Sequence, residues 1–319
     1  MAKRNIIPIF IPFFGCPVRC IYCDQNQITG APSFISGDDV EAEIREALRK
    51  AGTQSPEVAF YGGTFTMLPE ERRGELLRAV KPFIDAGEVS SIRISTRPEK
   101  LDAEDFSRLY EAGVRTIEFG IQSMDEAVLR SAGRGLTPRV MEETVERARE
   151  AGFSIGLQQM IGLPEDSSNK DIATAEWMAE RADFVRIYAT IVFRHTELYR
   201  LYREGRYRPL SLSEAIRRCA RLLDLYEEAE VPVIRVGLPY MERSAYVAGP
   251  YHDNFREFAE SKRTVEKILR TYPTVRSIEG SAAQINRVAG PYGVGRKSLE
   301  RAYGPIVFRV TDGTCVVHA

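Results

Sequence analysis

Histidine, tryptophan and cysteine are the scarcest useful side chains in this 319-residue sequence, and each scarcity excludes something. The three histidines, His195, His252 and His318, are scattered and form no HxxxH pair, so a histidine-built zinc site is not expected. The five cysteines are odd in number and three crowd into positions 16–23, which is no disulfide framework. No run approaches about 18 apolar residues, so no membrane-spanning helix is expected. A net charge of −1 supplies no global field toward nucleic acid or an anionic membrane, and any such attraction must be a local patch. The apolar run that follows Arg4 is broken by Pro8 and Pro12 and has no small-residue cleavage site. A signal peptide is therefore not expected, and the cytoplasm is the expected compartment.

What remains is ordinary globular material, 44% hydrophobic and 28% charged, with 24 glycines and 17 prolines. The length suits two units, or one barrel-sized unit with an appendage. Up to residue 238 short apolar runs alternate with amphipathic stretches. The patterning predicts strands at 6–11, 58–61, 92–95, 116–119, 154–161 and 184–188. It predicts helices near 38–51, 69–86, 102–112, 124–132, 137–151, 168–181 and 211–229, the last capped by Ser211 or Ser213. Strand–helix alternation of this kind builds a parallel α/β sheet with right-handed crossovers, and chemistry belongs at its C-terminal strand ends. Those ends are the unusual places in the chain, with Gly15 and the cysteines after the first strand and Gly62-Gly63-Thr64 after the second. Residues 239–319 read as a separate appendage.

Cys16, Cys20 and Cys23 are spaced CxxxCxxC. Structural zinc needs four ligands and no second CxxC exists, whereas thiolates suit an iron–sulfur cluster. A cubane with three protein ligands leaves one iron open to a substrate or cofactor. Cys219 and Cys315 stand alone and read as structural thiols.

The segment Cys16 to Cys23, ending Tyr22-Cys23 on the loop after the first strand, resembles the radical S-adenosylmethionine (SAM) superfamily. Phe60-Tyr61-Gly62-Gly63-Thr64-Phe65 resembles that family's glycine motif. Ser95-Thr96-Arg97-Pro98, Glu118 to Ser123, Arg134-Gly135, Met160 to Pro164 and Arg186-Ile187-Tyr188 resemble the Elongator catalytic-subunit branch, itself similar to oxygen-independent coproporphyrinogen oxidases. The resemblance implies a partial (βα)6 barrel over residues 1–238, a [4Fe–4S] cluster on Cys16, Cys20 and Cys23, and SAM chelated at the open iron. An injected electron then cleaves SAM to methionine and a 5′-deoxyadenosyl radical. It further implies that Gly62, Gly63 and Thr64 meet the SAM amino group, Ser95 and Gln122 its ribose or methionyl groups, and Arg134 its carboxylate. Tyr22 and Ile161 match residues near the adenine. Ser95 stands where the branch often has Glu, and Gln158 where the coproporphyrinogen enzymes have Asp. No acetyltransferase-like segment is expected, so acyl-CoA chemistry is not assumed. A flavodoxin or ferredoxin is the expected electron donor.

In the appendage, Gly290-Pro291-Tyr292-Gly293 lies between two helical stretches and ahead of a strand near 306–310. Helix, GxxG, helix, strand is the order of a KH module, whose GxxG loop clamps nucleic-acid phosphates, and such a unit would begin near residue 264. Five bases, among them Arg296 and Lys297, face one acid between residues 284 and 309. The same order also suits a plain helical hairpin. The readings this leaves are a radical SAM enzyme acting on an RNA or tRNA nucleotide, one acting on a porphyrin-type or other small molecule, and an iron–sulfur RNA-binding protein that is no enzyme.

Overall fold

The structure is a computed structural model that describes residues 5–25, 35–50, 55–238 and 244–318. The helix end expected at residue 51 lies outside them, as do residues 239–243 of the appendage. Seven strands form one sheet in sequential order: β1 (Ile6–Ile11), β2 (Glu57–Gly62), β3 (Ser91–Thr96), β4 (Val114–Gln122), β5 (Ser154–Ile161), β6 (Phe184–Ala189) and β8 (Val233–Val236). Every pair in it is parallel. Sequential order with right-handed crossovers puts all covering helices on one face, so the sheet curls around the other into a half-barrel. All six expected strands are present. The seventh, β8, is four residues long and follows Pro232, too short to carry a period of its own.

The covering helices are α1 (Gly37–Lys50), α2 (Glu70–Asp85), α3 (Ala103–Glu111), α4 (Glu126–Ser131), α5 (Pro138–Glu150), α6 (Ser168–Ala179) and α8 (Leu212–Glu228). Their starts follow local chemistry. Asp102 and Asp105 form a capping box on α3, and the Ser211 hydroxyl accepts from Glu214 N at the head of α8. A short helix that the periodicity did not signal, α7 (Glu197–Arg203), is capped by Thr196.

The sheet is two-faced. Ile7, Ile9, Ile11, Val58, Phe60, Ile92, Ile94, Ile117, Phe119, Ile155, Leu157, Ile161, Val185 and Ile187 are buried in one core beneath the helices. The alternate residues, including Tyr61, Ser95, Gln158, Met160, Arg186, Tyr188 and Arg235, line a cavity on the concave side. Side chains alternate across a strand, so period two separates the apolar wall from the chemical one.

Deep in the concave side lies a layer of charge. Arg93 donates to Glu57 at 2.6 Å and to Glu118 at 2.7 Å, and Arg186 donates to Glu118 at 3.0 Å and to the Tyr61 hydroxyl at 2.9 Å. Glu118 is fully buried, and two guanidinium partners are what make a carboxylate tolerable there. Gly156 is required beside it, since a Cβ there would stand 2.4 Å from the Phe184 ring and 2.9 Å from Glu118 Cγ.

The appendage contains α9 (Phe255–Thr271), β10 (Ser277–Gly280), α10 (Ala282–Ala289), α11 (Val294–Tyr303), β11 (Val307–Val310) and β12 (Val316–His318). Strand β10 is central, parallel to β11 and antiparallel to β12. Phe255 and Ala259 of α9 belong to the barrel core, whereas Val265 and Ile268 belong to a second core with Ile278, Val288 and Leu299. Between barrel and appendage, β7 (Val192–Phe193) pairs antiparallel with β9 (Tyr246–Ala248). Sequence reading missed β7, β9, β10 and β12, each of four residues or fewer, which is at most two alternations.

Candidate active site

The cavity on the concave face measures about 380 Å³, within the usual range of ligand sites. Cys16, Cys20 and Cys23 all line it, from the loop after β1. That loop is fixed by its neighbours. Thr64 N donates to Phe14 O at 2.7 Å, and the Cys16 thiol lies 3.4 Å from the Thr64 hydroxyl. Gln25 closes the loop by accepting from Phe13 N and donating to Gly62 O.

The paired glycines have a packing reason of their own. A Cβ on Gly63 would stand 2.1 Å from Phe14 O, and Gly62 has φ +112. Glycine is needed so that the strand-two end can pack on the cysteine loop, and both glycines also line the cavity.

Two arginines meet at Cys20. Arg134 Nη1 lies 3.5 Å from its Sγ, and Arg97 Nη1 lies 3.6 Å away. Arg134 also donates to Gly120 O, and Arg97 donates to Arg134 O and to Glu99 at 2.7 Å. Burial by itself raises the Cys20 thiol, but the two guanidiniums and the Tyr22 hydroxyl more than offset it and hold the thiol below its ordinary value. For Cys23 the pull of Arg134 is outweighed. Burial, then the charges of Cys20 and Cys16, push it up to about 12.

Gln122 ends β4 in a left-handed conformation, φ +70, just past a bulge at Gly120. Non-glycine residues rarely adopt it, and here it turns the amide into the cavity. Its Oε1 and the Nε of Arg134 are buried and have no hydrogen-bond partner among the described residues. Ser95 lies in the same wall, 3.5 Å from Gln158 Nε2.

Ile161 does not belong here. It is fully buried on the apolar face, and its neighbour Met160 lines the cavity instead, because successive strand residues point to opposite sides. Sequence reasoning assigned no role to Arg97, Met160, Arg186 or Arg235, all of which line the cavity. The period-two rule, applied outward from Ser95 and Gln158, reaches Arg97 and Met160, whereas Arg186 and Arg235 follow only from strand register.

The residues present fit a cluster with SAM. Three thiols of one loop share the cavity with Gln122 and Arg134, each of which keeps one buried polar atom with no partner among the described residues. Among the described residues no three His, Cys, Asp or Glu side chains converge on a single ion. Thiols that each take a separate corner of a cubane stand farther apart than ligands to one ion. Cys219 is buried in α8 and Cys315 is exposed, both away from this loop.

In the appendage, Gly290 (φ +70) and Gly293 (φ +69) flank the loop as expected. Gly290 is required by packing, since a Cβ would stand 2.4 Å from Ser261 Oγ of α9, whereas the space beside Gly293 is open. Tyr292 is 74% exposed, with its ring 6.1 Å from His252 and 6.3 Å from Phe258. Arg296 pairs with Glu300 at 2.8 Å and Arg309 with Glu279 at 2.8 Å, so the basic island is weaker than its sequence count. Lys297 donates to Tyr292 O at 3.3 Å.

A cysteine loop at the C-terminal edge of an open parallel half-barrel, facing unpartnered polar groups across one cavity, defines an iron–sulfur enzyme class that works on a bound cosubstrate. Residues 10–178, more than half the chain, match the Radical SAM superfamily, and residues 182–267 match the Radical_SAM C-terminal domain. The chain belongs to the radical SAM superfamily and is an enzyme of it, with that family's cofactors, a [4Fe–4S] cluster and SAM. It is similar to Elongator complex protein 3 of Mus musculus, 30% identical over 274 residues, covering 78% of this chain and 49% of that protein. It is also similar to the heme chaperone HemW of Bacillus subtilis (strain 168), 34% identical over 209 residues, covering 62% of this chain and 53% of that one. The chain thus spans about half the length of these curated relatives. Among solved structures, the archaeal Methanocaldococcus infernus Elp3 with an N-terminal deletion shares the fold, with TM-score 0.64 at 17% identity over 86% of this chain and 65% of that one. Among the described residues no helix is long and apolar enough to cross a membrane.

Proposed function

We propose that this chain binds SAM at a [4Fe–4S] cluster held by Cys16, Cys20 and Cys23 and starts radical chemistry on an RNA or tRNA nucleotide, in the cytoplasm. The observation that carries the SAM half is that Gln122 and Arg134, each with a buried polar atom left without a partner among the described residues, line the same cavity as the three thiols. Cys16, Cys20 and Cys23 would hold the cluster, which with SAM bound would supply a 5′-deoxyadenosyl radical on one-electron reduction, and a flavodoxin- or ferredoxin-type donor is the proposed source of that electron. The chain's own residues bind and orient. Arg134 takes the SAM carboxylate, where its planar fork suits two oxygens. Gln122 and Ser95 take ribose or methionyl oxygens, Gly62, Gly63 and Thr64 face the amino group, and Tyr22 with Met160 covers the adenine. The half-barrel wall excludes water from the reacting atoms.

Residues 1–238 are the proposed catalytic unit and 239–319 the proposed substrate-reading appendage. The RNA half rests on the order α9-β10-α10-GxxG-α11-β11, the open face of Gly293, and likeness to Elongator complex protein 3. Anaerobic, reduced protein given SAM is expected to release 5′-deoxyadenosine. Total RNA from cells with and without the gene is expected to differ in one modified nucleoside by mass spectrometry. Release with no change in RNA would turn the assignment to a small-molecule substrate, the reading that likeness to HemW favours.

A further inference from the structure

Five arginines line the cavity, and no Asp or Glu does among the described residues. Three are accounted for. Arg97 and Arg134 meet at Cys20, and Arg19 lies over the Phe13 ring at 4.0 Å. The other two, Arg186 and Arg235, are partners in register on β6 and β8, at the opposite end of the sheet from the cysteine loop.

Like charges directly opposite each other on neighbouring strands are destabilising. Arg186 is offset by Glu118 and the Tyr61 hydroxyl. Glu118 already serves Arg93, and Glu57 serves Arg93 as well, so the layer of two carboxylates and two guanidiniums closes on itself. Arg235 falls outside it. Its Nε donates to Gly237 O at 3.2 Å, and among the described residues no carboxylate lies within ion-pair distance. A half-buried guanidinium beside a second one, with its fork free and facing a cavity, is a preformed anion site. The wall around it is apolar, from Ile191, Phe193 and Leu238.

We propose that Arg235 holds the anionic group of the second substrate, a carboxylate or a phosphate on an organic body that packs against Ile191, Phe193 and Leu238. This deepens the radical SAM reading and rests on it for the word substrate, but the anion site itself is a claim about Arg235. The arrangement divides the cavity by charge chemistry. Arg134 serves the SAM carboxylate near the cysteines, and Arg235 serves the substrate at the far end.

The test uses the anaerobically reconstituted, SAM-loaded protein, in which the SAM arginine is already occupied. Phenylglyoxal labelling of Arg235 is followed by peptide mass spectrometry, with inorganic phosphate and benzoate as probes. Their dissociation constants are measured by the shift of the thermal midpoint with concentration. We expect at least one probe to protect Arg235, its affinity to fall tenfold or more in Arg235→Gln, and Arg235→Lys to recover part of it. Arg139→Gln, which removes a charge from the exposed face of α5, is expected to leave affinity unchanged. Protection by phosphate alone assigns a phosphate ester and by benzoate alone a carboxylate, while protection by both leaves the anion site standing. Equal affinity in Arg235→Gln with no protection by either probe overturns the proposal. Release of 5′-deoxyadenosine is scored separately. Its absence with an intact Arg235 effect sinks the radical SAM reading alone, and its presence without that effect sinks the anion site alone.

Discussion

Arg134 donates to the Sγ of Cys20 at 3.5 Å while its backbone carbonyl accepts from Arg97. The arginine that sequence resemblance assigns to a cosubstrate carboxylate therefore also packs against the cysteine loop. Arg134→Gln is expected to weaken SAM binding by about 1.5–3 kcal/mol, the scale of a hydrogen bond to a charged group. Equilibrium dialysis with labelled SAM measures it, and affinity equal to wild type would return Arg134 to a purely structural role.

Iron and sulfide content distinguishes the thiols. Each of Cys16→Ala, Cys20→Ala and Cys23→Ala is expected to lose the cluster absorbance or hold it only labilely. Cys219→Ala and Cys315→Ala are expected to retain it, since one thiol is packed in α8 and the other is exposed at the far end of the chain. Loss of iron from Cys219→Ala would overturn the ligand assignment.

Glu118 stabilises two guanidiniums at once. Glu118→Gln leaves Arg93 and Arg186 with one carboxylate between them, and breaking such a buried network costs about 3–5 kcal/mol. Urea unfolding monitored at several wavelengths should register a loss on that scale. A change under about 1 kcal/mol would mean that water reaches the layer.

Asp171 sits against Asp166 and Arg218, the latter 3.1 Å away. Burial first, then the charge of Asp166, pushes its carboxyl up to about 9 against the pull of Arg218. The folded state thus keeps a proton that the unfolded chain gives up near pH 4. Its stabilising contribution is fully present below that and is lost as pH rises toward about 9, with a slope of at most about 1.4 kcal/mol per unit. Asp171→Asn, which keeps the shape without the titration, is expected to flatten the decline of urea midpoints between pH 6 and 9.

Pro291 and Tyr292 lie in the GxxG loop, clear of the barrel. Replacing both by Asp is expected to lower RNA affinity steeply while SAM cleavage without RNA continues. Lys297→Gln should lower the salt slope by about 0.7–0.9, and Arg296→Gln by less, because Glu300 already neutralises Arg296. RNA binding unaltered by the double Asp change makes the loop a turn and nothing more.

Sequence alone determined what depends on near neighbours in the chain. The cysteine spacing, the alternation of strands with amphipathic helices, the cap at Ser211, and the glycines after β2 are local patterns, and local chemistry is enough to read them. Tertiary structure decided whatever depends on which strand lies beside which. Register put Arg235 opposite Arg186 with no carboxylate among the described residues to offset it, tertiary packing brought Arg97 from the end of β3 and Arg134 from beyond α4 to one sulfur, and Gly63 seats a loop nearly fifty residues away. Strand alternation sent Ile161 to the helices and Met160 to the cavity. Two-, three- and four-residue strands such as β7, β9 and β8 carry too little pattern to be read before the partner that pairs with them is in place.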